Sequence, residues 1–192
     1  MSEVFELRQY TLHPGRRDTL IELFEREFIE PQEACGMSIL GTFRDLGDPD
    51  RFVWFRGFPD MERRREALTC FYGGPVWKAH RDAANATMID SDDVLLLRLV
   101  DPHAGFPASD NETASRFHLT VYSFDAPITA ELIARVHPLL QTETAENDYP
   151  ALPVRTGEHV LVTLTREEPR ELALPYRVQR LTLEPTSRSK LR

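Results

Sequence analysis

Three ionisable side chains stand where the sequence otherwise places apolar ones. Turning about 100° per residue along each candidate helix, Leu20, Leu23, Phe24 and Phe28 define an apolar arc, and Glu27 falls inside it. Met61, Leu68, Phe71 and Tyr72 define a second arc, with Arg64 between Phe71 and Leu68. Val76, Ala79, Ala83, Ala84 and Thr87 define a third, with His80 near its centre and Trp77 and Met88 on one flank. An unpaired charge on such a face costs several kcal/mol, so each of the three requires a partner. Two arrangements meet that requirement. In the first, Glu27 and Arg64 form a structural ion pair and His80 is a satisfied core histidine. In the second, all three are catalytic residues lining a pocket. His80 then serves as general acid or base, because a neutral imidazole titrates near pH 7. Arg64 stabilises an enolate or carboxylate, and Glu27 fixes the imidazole or the arginine.

Candidate ligand-binding residues lie beside them. Tyr72 and Trp77 belong to the second and third helices. Arg8 and Tyr10 share one face of a strand, and Trp54 and Arg56 share one face of another. Period-two alternation does not say whether those faces meet helices or a second sheet. The plain reading makes Arg8 and Arg56 rim or solvent-facing arginines and both tryptophans core, although a flat aromatic ligand would stack on either indole.

Other chemistry is excluded. The six histidines show no His-x-x-x-His spacing, so no metal site is expected. Gly73-Gly74 fits neither a P-loop nor a dinucleotide fingerprint, and no cofactor is expected. A net charge of −8 argues against nucleic acid or an anionic membrane as partner. Apolar content of 41% and charged content of 28% are those of a globular protein. No apolar run reaches transmembrane length, and "MSEVFELRQY" is not a secretory signal. Cys35 and Cys70 sit among apolar neighbours and are expected to be buried free thiols in a reducing cytoplasm.

The elements that must position these residues follow from pattern and punctuation. Residues 4–11 read as a strand and 16–30 as a helix that Pro31 helps to end. Strands over 37–44 and 51–58 flank the turn "DLGDPD". Asp60 caps a helix running to about residue 72. The Gly73-Gly74-Pro75 break starts another at Pro75, reaching about residue 88, and 93–100 is the fourth strand. The break is expected to turn Arg64 and His80 towards one cavity. The order β-α-β-β-α-β is the ferredoxin-like split unit. The chain then repeats itself: "VFELRQYTLHPGRRDTLI" aligns without a gap on "RFHLTVYSFDAPITAELI". The second copy reads as a strand over 117–124, a helix over 129–140, and strands near Leu152, over 159–165 and over 176–183. It is shorter where the first copy has its second helical region. The expected divisions are 1–102, a polar linker over 103–115, and 116–192.

Three stretches, "FELRQYTLHPG", "GTFRDLGDPDRFVWFRGFPDM" and "FYGGPVWKAH", resemble the NIPSNAP family, within the dimeric α+β barrel superfamily. The resemblance covers residues 3–100 well and the second copy loosely. It implies an α+β fold of tandem ferredoxin-like repeats, the second shortened, with a barrel where two sheets meet. It also implies a pocket between the first sheet and its helices. Superfamily relatives include cofactor-independent quinone-forming monooxygenases, lactone isomerases, haem-binding enzymes and plain binding proteins, and the fold transfers no mechanism. The expectation is a NIPSNAP protein of undefined activity that takes a small hydrophobic or aromatic molecule. One version is a monooxygenase-like or isomerase-like enzyme on an aromatic or polyketide-like substrate; another is a non-catalytic binding or scaffold protein. A haem protein would need His80 as axial ligand. A homodimer is the expected assembly.

Overall fold

The computed structural model of the chain describes residues 3–107, 116–169, 171–172 and 177–192. Its elements are β1 (Val4–Leu12), α1 (Arg17–Leu23), a π-helical turn (Phe24–Phe28), α2 (Ile29–Ala34), β2 (Ser38–Asp45) and β3 (Arg51–Phe58). There follow α3 (Met61–Gly73), α4 (Pro75–Asn85), β4 (Met88–Leu99), β5 (Phe117–Phe124) and α5 (Ala130–Val136). The chain ends through β6 (Leu140–Thr142), β7 (His159–Thr165) and β8 (Arg177–Pro185). Eight antiparallel-paired strands close into one barrel in the order β1-β3-β2-β8-β5-β7-β6-β4. The fold is therefore α+β, and all eight strands of the barrel come from a single chain.

Alternation along the strands builds one core inside the barrel and two outside it, the smaller of these formed by Tyr122, Phe124 and Leu161 with Val136 of α5. Phe5 and Leu7 of β1 point inward with Val53 and Phe55 of β3, where they meet Leu119, Val162 and Leu183 from the other half. Val4, Tyr10 and Leu12 point outward with Phe52, Trp54 and Phe58, and pack under Leu20, Phe24, Phe28, Leu68 and Phe71. The barrel interior is thus filled by side chains, and the outer face of β1 and β3 meets the helices. That settles the strand faces: Arg8, Tyr10, Trp54 and Arg56 are all buried. The rim or solvent-facing reading of the two arginines is corrected accordingly.

Local chemistry fixes the helix ends. Asp60 Oδ1 accepts from the Arg63 N–H at 2.7 Å and caps α3. Gly74 ends that helix, where a Cβ would lie 2.9 Å from the Cys70 carbonyl oxygen. Pro75 opens α4 at a position whose N–H needs no partner. The "DLGDPD" turn is gripped by Arg17 Nη1, which donates to the Asp45 and Asp48 carbonyls at 2.8 and 2.9 Å.

Several expected boundaries move. Pro31 does not end the first helical region, because the π-helical turn lets α2 begin afresh at Ile29 and Pro31 falls within its first turn. Met88 belongs to β4 rather than to α4. Alpha-5 stops at His137, whose φ of 50° is left-handed, and the chain passes at once into β6. Beta-6 replaces the strand expected near Leu152. The linker positions 108–115 and Tyr176 lie outside the described residues. Among the described residues no helix is long and apolar enough to cross a membrane.

The cysteine expectation is overturned. Cys35, at the end of α2, and the exposed Cys70 of α3 form a disulfide with Cα atoms 5.8 Å apart. Packing of α2 on α3 brings together residues 35 positions apart in sequence. Disulfides persist in oxidising surroundings, so the thiol argument for a reducing compartment falls with them. Reduction should cost about 2–4 kcal/mol through the freed unfolded chain, lowering Tm by roughly 5–10 °C. Melting curves with and without reductant check this, and Cys70→Ser should abolish the difference. Two titratable thiols in the native protein would contradict the bond.

Candidate functional site

Cross-strand register assembles the site. Glu6 of β1 lies directly opposite Arg56 of β3, Arg8 opposite Trp54, and Tyr10 opposite Phe52. All face the helices, and α3 lowers Arg64 onto them. Three guanidinium groups converge on the fully buried Glu6 carboxylate. Arg8 Nη1 donates to Glu6 Oε2 at 2.7 Å and Arg56 Nε to the same oxygen at 2.8 Å. Arg64 Nε donates to Oε1 at 2.7 Å. Arg56 Nη2 also lies 2.7 Å from Oε2, as an ion-pair contact not aligned for a hydrogen bond. Burial alone would push the Glu6 carboxyl up. The charges of Arg56, Arg8 and Arg64, with the Arg8 hydrogen bond, outweigh it and hold Glu6 well below the usual carboxylate range.

The remaining donors fan outward. Arg8 Nε donates to the Tyr10 hydroxyl at 3.1 Å, and Arg56 Nη1 to the Tyr72 hydroxyl at 3.4 Å and Gln32 Oε1 at 3.3 Å. Both tyrosine oxygens therefore accept from arginines and have their own protons to give. Burial pushes the Tyr10 hydroxyl up, against the pull of Arg8, which keeps that proton in place. Arg64 Nη1 donates to Asn147 Oδ1 at 3.1 Å and Asp148 Oδ1 at 2.9 Å, both from the C-terminal half.

Next to this cluster is a cavity of about 30 Å³, walled by Tyr10, Phe24, Phe28, Trp54, Tyr72 and Trp77. Its rings meet edge to face, Phe24 on Trp54 at 4.8 Å and Tyr72 on Trp77 at 5.0 Å. The volume is that of a water molecule. The indole N–H of Trp54 is buried there without a hydrogen-bond partner.

Glu27 and His80 form a separate, partly exposed pair. His80 Nε2 is 3.4 Å from Glu27 Oε2, and both side chains are about a third exposed, at 33% and 29%. The imidazole edge packs on Phe28, a cavity wall, at 6.3 Å. Glu27 also accepts from Arg26 Nε at 2.7 Å. That bond, aided by the charge of His80, draws the Glu27 carboxyl below its ordinary value. So the three expected catalytic residues divide: Arg64 is sealed against Glu6, while Glu27 and His80 pair with each other at a partly exposed position beside Phe28. The Glu27–Arg64 ion pair does not form, and neither Arg64 nor His80, expected to face one cavity, is among the residues that wall this one. Alpha-4 turns Trp77, His80 and Ala84 inward and leaves Ala79 and Ala83 exposed, so its inner face is rotated from the expected arc.

Comparison with known proteins places this geometry. A model of the NIPSNAP family matches residues 5–102, just over half of the chain. The chain belongs to the NIPSNAP family. An uncharacterized NIPSNAP-like domain protein from Burkholderia xenovorans is 22% identical, covers 55% of this chain and 90% of its own, and superposes with a TM-score of 0.49. Two likenesses extend along the whole NIPSNAP chain. A candidate monooxygenase from Fusobacterium nucleatum covers 96% of it and 92% of its own length, at 8% identity and a TM-score of 0.55. A second, from Lactobacillus acidophilus, covers 96% and 94%, at 11% identity and a TM-score of 0.52. These two are likenesses of fold. No curated protein matches.

Sequence reasoning missed Glu6, the anion at the centre. Its signal was present, since it precedes Arg8 and Tyr10 at the same two-residue spacing on the strand face that they share. Gln32 was missed because the helix was ended at Pro31. Asn147 and Asp148 carry no local pattern and arrive by tertiary folding alone.

Glu6→Gln should cost about 3–5 kcal/mol by urea unfolding, because it strands buried guanidinium charge. With the folded carboxyl held low, the stability from Glu6 is complete above its unfolded value of about 4.3. It drains as pH falls below that value toward the folded one. Unfolding free energy between about pH 4.5 and pH 2.5 should therefore fall more steeply in the wild type than in the variant. Equal slopes would show that Glu6 is not held ionised.

Proposed function

We propose that this NIPSNAP protein binds a small, flat, largely apolar molecule between the outer face of β1 and β3 and the helices of the N-terminal half. The observation that carries the reading is the aromatic-walled cavity set against a buried arginine cluster with hydrogen-bond donors left over. Apolar walls with a few fixed polar groups are the usual make-up of a small-molecule site. Tyr10, Trp54, Tyr72 and Trp77 supply the ring surfaces, and Arg8 and Arg56 lock the two tyrosine hydroxyls in place. No cofactor, nucleic acid or membrane enters this reading.

The strand order supports one site per chain. Each run of four strands pairs as fourth, first, third, second. This fits two ferredoxin-like units over 1–102 and 116–192, joined by 103–115, with the second shortened. Among the described residues, α5 is the one helix of the second unit. The first unit's helices form the walls.

The Glu27–His80 contact favours a catalytic second reading. A partly exposed imidazole beside the Phe28 wall, in contact with a carboxylate, would take a proton from an acidic C–H or hydroxyl of a bound aromatic or polyketide-like substrate. Isomerase-like and monooxygenase-like chemistry both begin with that step. The candidate monooxygenases share the fold, and the reading rests on this chain's own residues.

Anthrone, a flat polyketide-like probe, tests both. It should quench tryptophan fluorescence saturably, and Trp77→Ala should weaken binding by roughly tenfold, the scale of one lost aromatic contact. The absence of a saturable change would remove the binding proposal. In air, catalysis would yield anthraquinone and water from anthrone and dioxygen. His80→Ala should then bind anthrone as the wild type does while losing turnover. Unchanged turnover in that variant would dismiss the acid–base role.

A further inference from the structure

One segment of the C-terminal half, residues 143–155, packs against Arg64 and against Tyr72, a wall of the aromatic cavity. Its two ends are fastened to β4: Glu143 N–H donates to the Leu96 carbonyl at 2.9 Å, and Arg155 N–H to the Val94 carbonyl at 2.8 Å. Between these points Asp148 and Asn147 accept from Arg64, and the Tyr149 ring lies 6.4 Å from that of Tyr72, tilted by 32°. Leu152 and Val154 lean on the same helix–sheet core. Consecutive residues therefore deliver a carboxylate to a buried arginine and an aromatic ring to the cavity wall.

We propose that Asp148 and Tyr149 stand in for the ligand, and that the molecule this site takes is an aromatic carboxylate. Its carboxylate replaces Asp148 on Arg64, and its ring replaces Tyr149 against Tyr72. This deepens the small-molecule reading above and rests on it.

Three observations select that chemistry. The first is charge. Arg8, Arg56 and Arg64 converge on Glu6, which is fully buried, and Arg64 also reaches Asp148, whose side chain is 27% exposed. Glu6 is locked in, so Asp148 is the exchangeable anion. Lifting it away leaves an excess of buried positive charge that a ligand carboxylate neutralises. The second is polarity. Arg64 Nη2 and Trp54 Nε1 are buried donors without a partner, and both call for acceptor atoms. A cation or a donor-rich ligand leaves them unsatisfied. The third is space. The cavity of about 30 Å³ holds no ring, and Asn147, Asp148 and Tyr149, beside its Tyr72 wall, are each only partly buried. The middle of the segment therefore rises by giving up the Arg64 bonds and one ring contact, with both ends still tied. A guanidinium carboxylate pair also favours a planar, paired acceptor over a point charge.

The test compares 2-naphthoate with its neutral isostere 2-naphthamide, by calorimetry and tryptophan fluorescence, on the wild type, Asp148→Asn and Tyr149→Ala. Asp148→Asn keeps the shape and frees the charge. It should bind naphthoate about tenfold more tightly than the wild type does and leave naphthamide unchanged. Tyr149→Ala should admit both rings more readily and naphthoate by the larger factor, which decides the matter should Asp148→Asn fail to fold. Equal affinity for acid and amide, unmoved by either substitution, would overturn the carboxylate assignment while leaving a neutral-ligand pocket standing. Failure of both probes on every protein would overturn the assignment and the pocket together.

Discussion

Three guanidinium groups converge on the Glu6 carboxylate beneath the helices, and the arrangement of the N-terminal half follows from that convergence. A buried carboxylate and buried arginines are each costly alone, and together they hold only if register and helix placement are both right. Beta-1 and β3 must pair so that Glu6 meets Arg56. Alpha-3 must settle so that Arg64 reaches the second carboxylate oxygen. A slip of one residue in either strand would turn the charged side chains into the barrel core. The cluster therefore fixes the geometry of the aromatic walls around it. It also holds the tyrosine hydroxyls and Gln32 at set positions through the donors that Glu6 does not use.

The aromatic space and the Glu27–His80 pair lie in two environments. Inside, the rings and arginines are buried and held by ring contacts and hydrogen bonds. Glu27 and His80 are about a third exposed, and the imidazole packs on Phe28, one of the cavity walls. The π-helical turn joins the two, since Phe24 and Phe28 wall the cavity and Glu27, between them, meets His80. An insertion of this kind widens the helix and shifts its face by part of a turn, and Pro31 follows without breaking the chain's helical course.

Much of the fold was legible because its signals are local. The strands of the N-terminal half, the Asp60 cap and the Gly74-Pro75 break all declared themselves by residue type. Arg64 was marked as buried because helix periodicity is a reliable guide to which face is inward. Its partner was misjudged, since a strand buried on both faces shows no simple alternation and Glu6 looked like any strand-borne acid. The disulfide escaped for a similar reason: two cysteines so far apart in sequence say nothing until α2 lies on α3. Alpha-4 was rotated from its expected setting because its alanines give weak preference for core or solvent, and Trp77 decides the face instead. The 147–149 turn was beyond reach altogether, being polar, irregular and brought in from the other half.

That the barrel closes within one chain has an evolutionary consequence. In a barrel assembled from two identical subunits, every substitution appears twice, and a change that helps one side must be tolerated by the other. Here β1 to β4 and β5 to β8 are encoded separately, so each side mutates on its own. The N-terminal side carries the long helices and the buried arginine cluster. Among the described residues the C-terminal side has one helix, α5, and sends Asn147 and Asp148 to Arg64. Asymmetry of this kind is available to a single chain and closed to a symmetric pair.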